Sequence, residues 1–383
     1  MPGSAPANAA NTFTPESARM KPIYLALSGG GTRAMVFHCG VLKFLAENQA
    51  LARVNRVSTV SGGSLLMGLL LQLNGMRWPT DDEYLTGLLP KLKDVLTRRD
   101  LQNAAMRAML HPANWRFALS RANVLASAIG RTWGIDALLD DLPASPVWAI
   151  NATTAETGKR ACLENGNLRD WTLGSTPMKK LPLRDAMAVS AAFPGLIGPY
   201  VLHTDSFDWS LPMFASGDEA RPAEDRFARI HLYDGGIYDN LGLEPFFDAG
   251  FGPKPKIDGL IISSDAGAPL SQGFNMGRLS LFRLKHVADI MSDQTRALRA
   301  RGLMAYAKKE SGRAAYLRLG LTAQDMAKRS GTTCPTGDWL DSASVKAAAA
   351  YPTSLKKVPL PTYELLFRHG HESATAGRAV FGF

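Results

Sequence analysis

The chain has 383 residues, 46% hydrophobic and 20% charged, and its 43 Lys and Arg against 34 Asp and Glu give a formal charge of +9. That length and apolar content can bury a sizeable core, which excludes wholesale disorder, and the 35 glycines and 23 prolines follow no collagen-like period. Cys39, Cys162 and Cys334 are too few and too scattered for a disulfide framework or a zinc site.

Residues 1–20, rich in Ala, Asn, Pro and Ser, read as a flexible tail without the basic and apolar blocks of a secretory signal. The longest apolar run, Leu65 to Leu71, is far below the ~20 residues that span a bilayer, so a cytoplasmic chain with at most peripheral membrane contact is expected. From Ile23 to Leu27 a short apolar run ends in Ser28-Gly29-Gly30-Gly31, as a buried strand entering a tight loop. Met35 to Asn48 carries helical periodicity. Val54 to Val60 reads as a second strand, followed by Gly62-Gly63 and an apolar helix from Ser64 to about Leu73. Two strand–glycine–helix units in succession imply parallel strands with right-handed crossovers.

Asp81 to Leu139 turns wholly helical and is expected to be a cap inserted into a single domain over 21–383. Strands resume at Val147–Ala152 and Arg160–Leu163, a helix at Leu183–Ala192, and a long polar loop from His203 to Arg226. Further strands are expected at Ile230–Tyr233 and Leu260–Ser264, and helices from about Leu279 to Lys309 and from Thr362 to Ala376.

Three loops carry chemistry. Gly29-Gly30-Gly31 between strand and helix lets backbone N–H groups converge on an anionic oxygen, either a phosphate or the oxyanion of acyl transfer; a plain turn fits equally. It has neither Walker nor GxGxxG spacing. Ser61, in Thr59-Val60-Ser61-Gly62-Gly63, has the small downstream neighbours that a nucleophile elbow needs, although Thr59 stands where GxSxG has glycine. Asp234-Gly235-Gly236 is first a hairpin signal, yet its carboxylate could also serve a serine directly as general base.

Taken together, Gly29-Gly30-Gly31-Thr32-Arg33, Ser61 in Ser-Gly-Gly-Ser, and Asp234-Gly235-Gly236 occur in the order and spacing of patatin-like phospholipases. Ala188-Val189-Ser190-Ala191-Ala192-Phe193-Pro194 and Asn151-Ala152-Thr153-Thr154 resemble further recurrent stretches of that family. The resemblance covers about residues 23 to 265. It implies an α/β fold, a three-layer α/β/α sandwich with a mostly parallel central sheet and the helical insertion. It also implies a dyad of Ser61 and Asp234, with an oxyanion hole drawn from Gly29, Gly30, Gly31 and Gly62. Arg33, Gly63, Gly235 and Gly236 would support these loops. The implied activity is hydrolysis of fatty-acyl esters of membrane phospholipids or related glycerolipids, without cofactor or metal. Thr59 and Ala34 depart from the family pattern and could alter the elbow.

Other constellations are weaker. His369-Gly370-His371-Glu372 lacks metal spacing and reads as helix surface, though it could supply the late histidine of an ordinary hydrolase triad. Arg98 to Arg131 carries a net +5 and Arg278 to Arg318 a net +7, so the charge is gathered in two segments. Each reads as a solvated helix face, or as a counterpart for anionic headgroups, with Trp115-Arg116-Phe117 as a membrane-facing stretch. A basic module binding nucleic acid or protein, and an acyltransferase on the same dyad, are the alternatives; no RNA-binding or zinc-finger motif supports the first.

Overall fold

A computed structural model describes residues 21–110, 121–194, 197–212, 217, 221–249, 254–270 and 282–383. The N-terminal tail and Trp115-Arg116-Phe117 lie outside the described residues.

β1 (Ile23–Leu27), α1 (Gly31–Glu47), β2 (Val54–Thr59) and α2 (Gly62–Leu73) follow the expected order. α2 starts two residues earlier than expected because Gly62 and Gly63 are themselves helical. A π-helical turn (Glu83–Leu88) leads into α3 (Leu89–Arg98), α4 (Leu101–Met109) and α5 (Ala122–Trp133). These helices join the main core: buried Tyr84 donates its hydroxyl to the Cys39 carbonyl at 2.8 Å.

β3 (Val147–Thr154), β4 (Arg160–Glu164), β5 (Asn167–Asp170) and β6 (Gly174–Pro177) come next. They are followed by α6 (Leu183–Ser190), β7 (Tyr200–His203), α7 (Ala223–Arg226), β8 (Arg229–Asp234) and α8 (Gly236–Asp239). The remainder is β9 (Phe247–Asp248), β10 (Lys254–Pro255), β11 (Leu260–Asp265), α9 (Phe282–Lys309), β12 (Ala314–Arg318), α10 (Ala323–Ser330), α11 (Ser342–Ala350) and α12 (Leu360–Phe381). β5, β6, β7, β9, β10, β12, α7, α8, α10 and α11 were not expected, and α7 falls inside the stretch read as a polar loop. β5 and β6 have four residues each and little apolar alternation, so pairing rather than propensity makes them strands.

The sheet runs β12-β11-β1-β2-β3-β4-β5-β6, and the five strands from β12 to β3 are parallel. This is the α/β class the sequence implies, with a parallel centre flanked by helices. β1 lies between β2 and β11, so the chain leaves it in one direction and returns on its other side. Open parallel sheets bind ligands at the carboxyl ends of such a pair.

β8 supplies the second half of the site by a different route. Ala152 and Thr153 of β3 pair with β4 on one edge and with Asp234 and Tyr233 of β8 on the other. Ile150 pairs with Leu163 of β4 and with Thr59 of β2, so β2 and β8 share an edge of β3. β2 ends opposite Ile150, and the antiparallel β8 ends opposite Ala152. The two strands therefore meet end to end, bringing the turn after Thr59 against the turn after Asp234.

α1 and α12 cross closely at Gly40 and Gly370, where an added Cβ would stand 2.1 Å from the Phe367 carbonyl and 2.0 Å from that of Phe37. This crossing corrects the reading of the late histidines. His369 is 2% exposed, stacks edge-on against Phe37, and its Nε2 accepts from the Gly320 N–H at 2.9 Å. His371 bonds Glu47 at the far end of α1, about 24 Å along the helix from Gly31. It is too distant to serve a serine at the glycine loop.

Candidate active site

Ser61 sits between β2 and α2 at φ 48°, ψ −113°, a left-handed backbone that a non-glycine residue adopts at a cost of about 1–3 kcal/mol. A nucleophile elbow calls for a strained turn of this kind. Such strain persists because the surroundings over-determine it, and two sets of contacts do so here.

The first is backbone packed on backbone. A Cβ on Gly62 would lie 2.4 Å from the Gly31 carbonyl oxygen, and one on Gly31 would lie 2.3 Å from that of Ser354. The elbow and the glycine loop can approach this closely because neither carries a side chain there. Gly63 continues the turn, donating its N–H to the Val60 carbonyl at 2.8 Å.

The second is a buried chain of hydroxyls. The Trp148 indole N–H can only donate, and it reaches Thr59 Oγ1 at 2.8 Å. Thr59 Oγ1 lies 2.7 Å from Ser64 Oγ, which lies 2.8 Å from Ser190 Oγ, and Ser190 Oγ donates to the Asn151 carbonyl at 2.7 Å. With a fixed donor at one end and a fixed acceptor at the other, every hydroxyl proton points the same way. Ser190 Oγ also accepts from the Ser61 N–H at 3.1 Å. Thr59 is thus not a defect in the elbow: its hydroxyl replaces the flexibility of a glycine with a bonded network.

α1 and α2 both begin at this point. Neither has a side-chain cap or an acidic residue in its first turn, so their positive ends are left open to an anion. The N–H groups of Gly30, Gly31 and Gly62 are accepted by no group among the described residues. Gly29 differs from the expectation for it: its N–H donates to the Asn240 carbonyl at 3.2 Å and so is occupied. Arg33, 1% exposed, donates to the carbonyls of Ala266 and Tyr351 and to Thr353 Oγ1. Burial lowers its pKa to about 10. Its guanidinium binds α1 to the loops after β11 and α11.

Asp234, 4% exposed, ends β8. Burial raises its pKa from 3.8 to about 6, while hydrogen bonds from the Gly236 N–H and the Ser61 hydroxyl pull the other way. The Gly236 bond is 2.7 Å, and Gly235 accepts from the Asp239 N–H at 2.9 Å to close α8.

Sequence reasoning missed what holds this acid in place. Asp239 accepts from the N–H groups of Leu241 and Glu244 and faces Arg299 of α9 at 3.6 Å. Arg299 also reaches Glu244 at 2.6 Å, and Ser292 Oγ donates to the Gly236 carbonyl at 3.3 Å. One turn away, Arg296 pairs with Asp265 at 3.3 Å and Asp293 at 2.5 Å. Asp265 further accepts from the Gly267 N–H and from the Tyr316 hydroxyl. Arg296 and Arg299 are 6% and 13% exposed. At these positions the basic segment is an internal brace, not a solvated face.

His38, on α1 beneath the loop, is fully buried. Its Nε2 donates to the Ser28 carbonyl at 3.0 Å and its Nδ1 accepts from Ser264 Oγ at 2.7 Å. Burial lowers its pKa to about 4, which keeps it neutral. Among the described residues no group of three or more His, Cys, Asp or Glu could hold a metal ion. No described helix is long and apolar enough to cross a membrane.

The sequence model of the patatin-like phospholipase family matches residues 25–247, the segment that carries the glycine loop, Ser61 and Asp234. The chain belongs to this family. Human GIVD cytosolic phospholipase A2 is similar in fold, with a TM-score of 0.52 at 12% identity over 96% of this chain. A second structure of that human enzyme, with methyl γ-linolenyl fluorophosphonate and terbium chloride, has a TM-score of 0.48 at 16% identity, covering 96% of this chain and 60% of its own. This patatin-like chain spans 63% of the length of the first human chain. No curated protein sequence matches it.

Proposed function

We propose that this patatin-like protein is a serine lipid acyl hydrolase acting on phospholipids or related glycerolipids at a membrane surface, through Ser61 and Asp234. Residues 21–383 form the catalytic unit in this reading, with 81–139 inserted as a helical cap. The observation that carries it is a strained serine whose hydroxyl faces a buried carboxylate, at the open ends of two helices.

Ser61 Oγ attacks the acyl carbonyl as Asp234 takes its proton. The negative oxygen is held by N–H groups of Gly30, Gly31 and Gly62. Collapse of the tetrahedral intermediate breaks the ester bond, and Asp234 returns the proton to the leaving alcohol. Water then repeats the sequence on the acyl-enzyme. Asp234 works as the anion, so the rate falls about tenfold per pH unit below a pKa near 6.

The test is fluorophosphonate labelling followed by a lipid panel read by mass spectrometry. Label is expected on Ser61, and Ser61→Ala or Asp234→Asn should lose ~10⁴-fold in ester hydrolysis. Full activity in purified Ser61→Ala would overturn the dyad. Asp234→Asn carries a second expectation. A carboxyl whose folded pKa is raised favours the fold fully below its unfolded pKa of 3.8, and that support is lost as pH rises through 6. At neutral pH the buried charge costs about 3 kcal/mol, so the uncharged amide should unfold at a higher temperature than wild type. An unfolding midpoint that drops in Asp234→Asn at pH 7.5 and stays level at pH 4 would contradict that assignment.

A further inference from the structure

The outer face of α9 has a composition that its basic sequence conceals. Among the described side chains of α9, residues 287, 290, 291, 294, 298, 301 and 305 are exposed ahead of the exposed Lys308 and Lys309, and steps of three and four place them along one side of the helix. They are Val287, Ile290, Met291, Gln294, Leu298, Arg301 and Ala305. Val287 is 48% exposed, Ile290 37%, Met291 67% and Leu298 62%. Exposed large apolar side chains scattered singly need no explanation, but four along about 16 Å of one helix form a patch.

The patch reaches the site. Ser292, next to Met291, donates its hydroxyl to the carbonyl of Gly236, and the residue after Gly236 is Ile237, itself 45% exposed. α9 thus lies beside the turn that follows Asp234, and an exposed apolar residue stands on each of the two elements there. Beyond Leu298 the exposed residues become basic, with Arg301, Lys308 and Lys309 against Glu310.

From this we infer that the outer face of α9 docks on an anionic lipid surface and thereby sets the mouth of the Ser61–Asp234 site against the substrate. The inference rests on the proposed lipid hydrolysis and names the surface that makes the contact. Charge decides the occupant. Arg296 and Arg299 are consumed inside by Asp265, Asp239 and Glu244, leaving outside a run of apolar residues that Arg301, Lys308 and Lys309 follow. That pattern is an interfacial helix, with side chains among acyl chains and cations at headgroup level. The same helix holds Gly236 and Asp239 from its inner side, so docking and alignment of the acid share one element.

The experiment is cosedimentation of the full chain with phosphatidylcholine vesicles containing about a third phosphatidylglycerol, and with pure phosphatidylcholine vesicles. Met291→Ser/Leu298→Ser is expected to lose at least ~10-fold in binding to the anionic vesicles, while fluorophosphonate labels Ser61 in solution at the wild-type rate. Arg301→Glu should weaken binding to anionic vesicles and leave the weaker binding to neutral ones alone. All substituted side chains are exposed, so an unchanged unfolding midpoint accompanies these results.

Wild-type vesicle binding in the double variant overturns the inference. So does a wild-type chain that dimerises, with sedimentation showing the double variant monomeric and vesicle binding unaltered, since the face then belongs to a second copy. Binding is read without turnover, and Ser61→Ala should bind as wild type does. Hydrolysis surviving in Ser61→Ala would therefore reject the catalytic reading and leave the docking result standing.

Discussion

Around Ser61 the chain is fixed by backbone lying on backbone. The Gly31 carbonyl fills the place of a Gly62 Cβ, and neutral hydroxyls finish the support. Around Asp234 the fixing is ionic and comes from far away in sequence: Arg299 grips Asp239 and Glu244, while Arg296 grips Asp265 beside the glycine loop. The first arrangement is rigid and tolerates no added atom. The second is adjustable, because an ion pair can lengthen by a few tenths of an ångström without a clash. In the proposed mechanism, a nucleophile whose geometry is inherently strained gains from the rigid kind. In the same mechanism, an acid that exchanges a proton with both Ser61 and a leaving alcohol can use the adjustable kind.

If that contrast holds, the largest loss comes from one methyl group on the rigid side. Gly62→Ala puts a Cβ 2.4 Å from backbone oxygen and 2.8 Å from backbone nitrogen of Gly31, neither of which can swing aside. The elbow must separate from the glycine loop, pulling the Gly62 and Gly31 N–H groups apart. We expect a loss of ~10³-fold or more in ester hydrolysis, with about 2–3 kcal/mol of destabilisation in urea unfolding. Activity within tenfold of wild type would show that the two loops are free to slide.

The ionic side should give way more gently. Arg299→Gln leaves Asp239 and Glu244 without their shared cation, and α8 loosens against α9. We expect kcat to fall about tenfold with KM for a soluble ester little changed, and Arg299→Lys to recover part of the rate. The acid limb of the pH profile should stay near 6. Asp234 owes its raised pKa to burial, opposed by Gly236 and Ser61, and Arg299 is not among the causes. A limb that moves by a full unit would mean that Arg299 tunes the acid itself.

The same division explains what could be read from the sequence. Gly29-Gly30-Gly31, Ser61-Gly62-Gly63 and Asp234-Gly235-Gly236 are local signals, because the turns that need glycine are made within a few residues. Their strands and helices were legible for the same reason. The brace was not legible: Arg299 lies 55 residues from Glu244, and Arg296 lies 31 from Asp265. A run of positive charge on a predicted helix gives no sign that two of its arginines turn inward. The hydroxyl chain was hidden likewise, with Ser64 and Ser190 separated by 126 positions. Gly29 misled in the opposite sense, since its place in a triple glycine says nothing of the Asn240 carbonyl that takes its N–H.

The smallest expected effect tests whether the neutral network belongs with the rigid side. Thr59→Val keeps the shape of the side chain and removes the oxygen that accepts from the Trp148 indole and donates to Ser64. The indole N–H is left buried without a partner, which costs about 1–3 kcal/mol of stability. Ser64 can still donate to Ser190, so the bond from the Ser61 N–H survives and kcat should drop no more than about threefold. Thr59→Ser, which restores the oxygen, should return stability to near the wild-type value. A stable Thr59→Val protein with a large fall in kcat would reverse the assignment. The hydroxyls would then be aligning the nucleophile itself, and the backbone packing of Gly31 and Gly62 would not be sufficient to hold it.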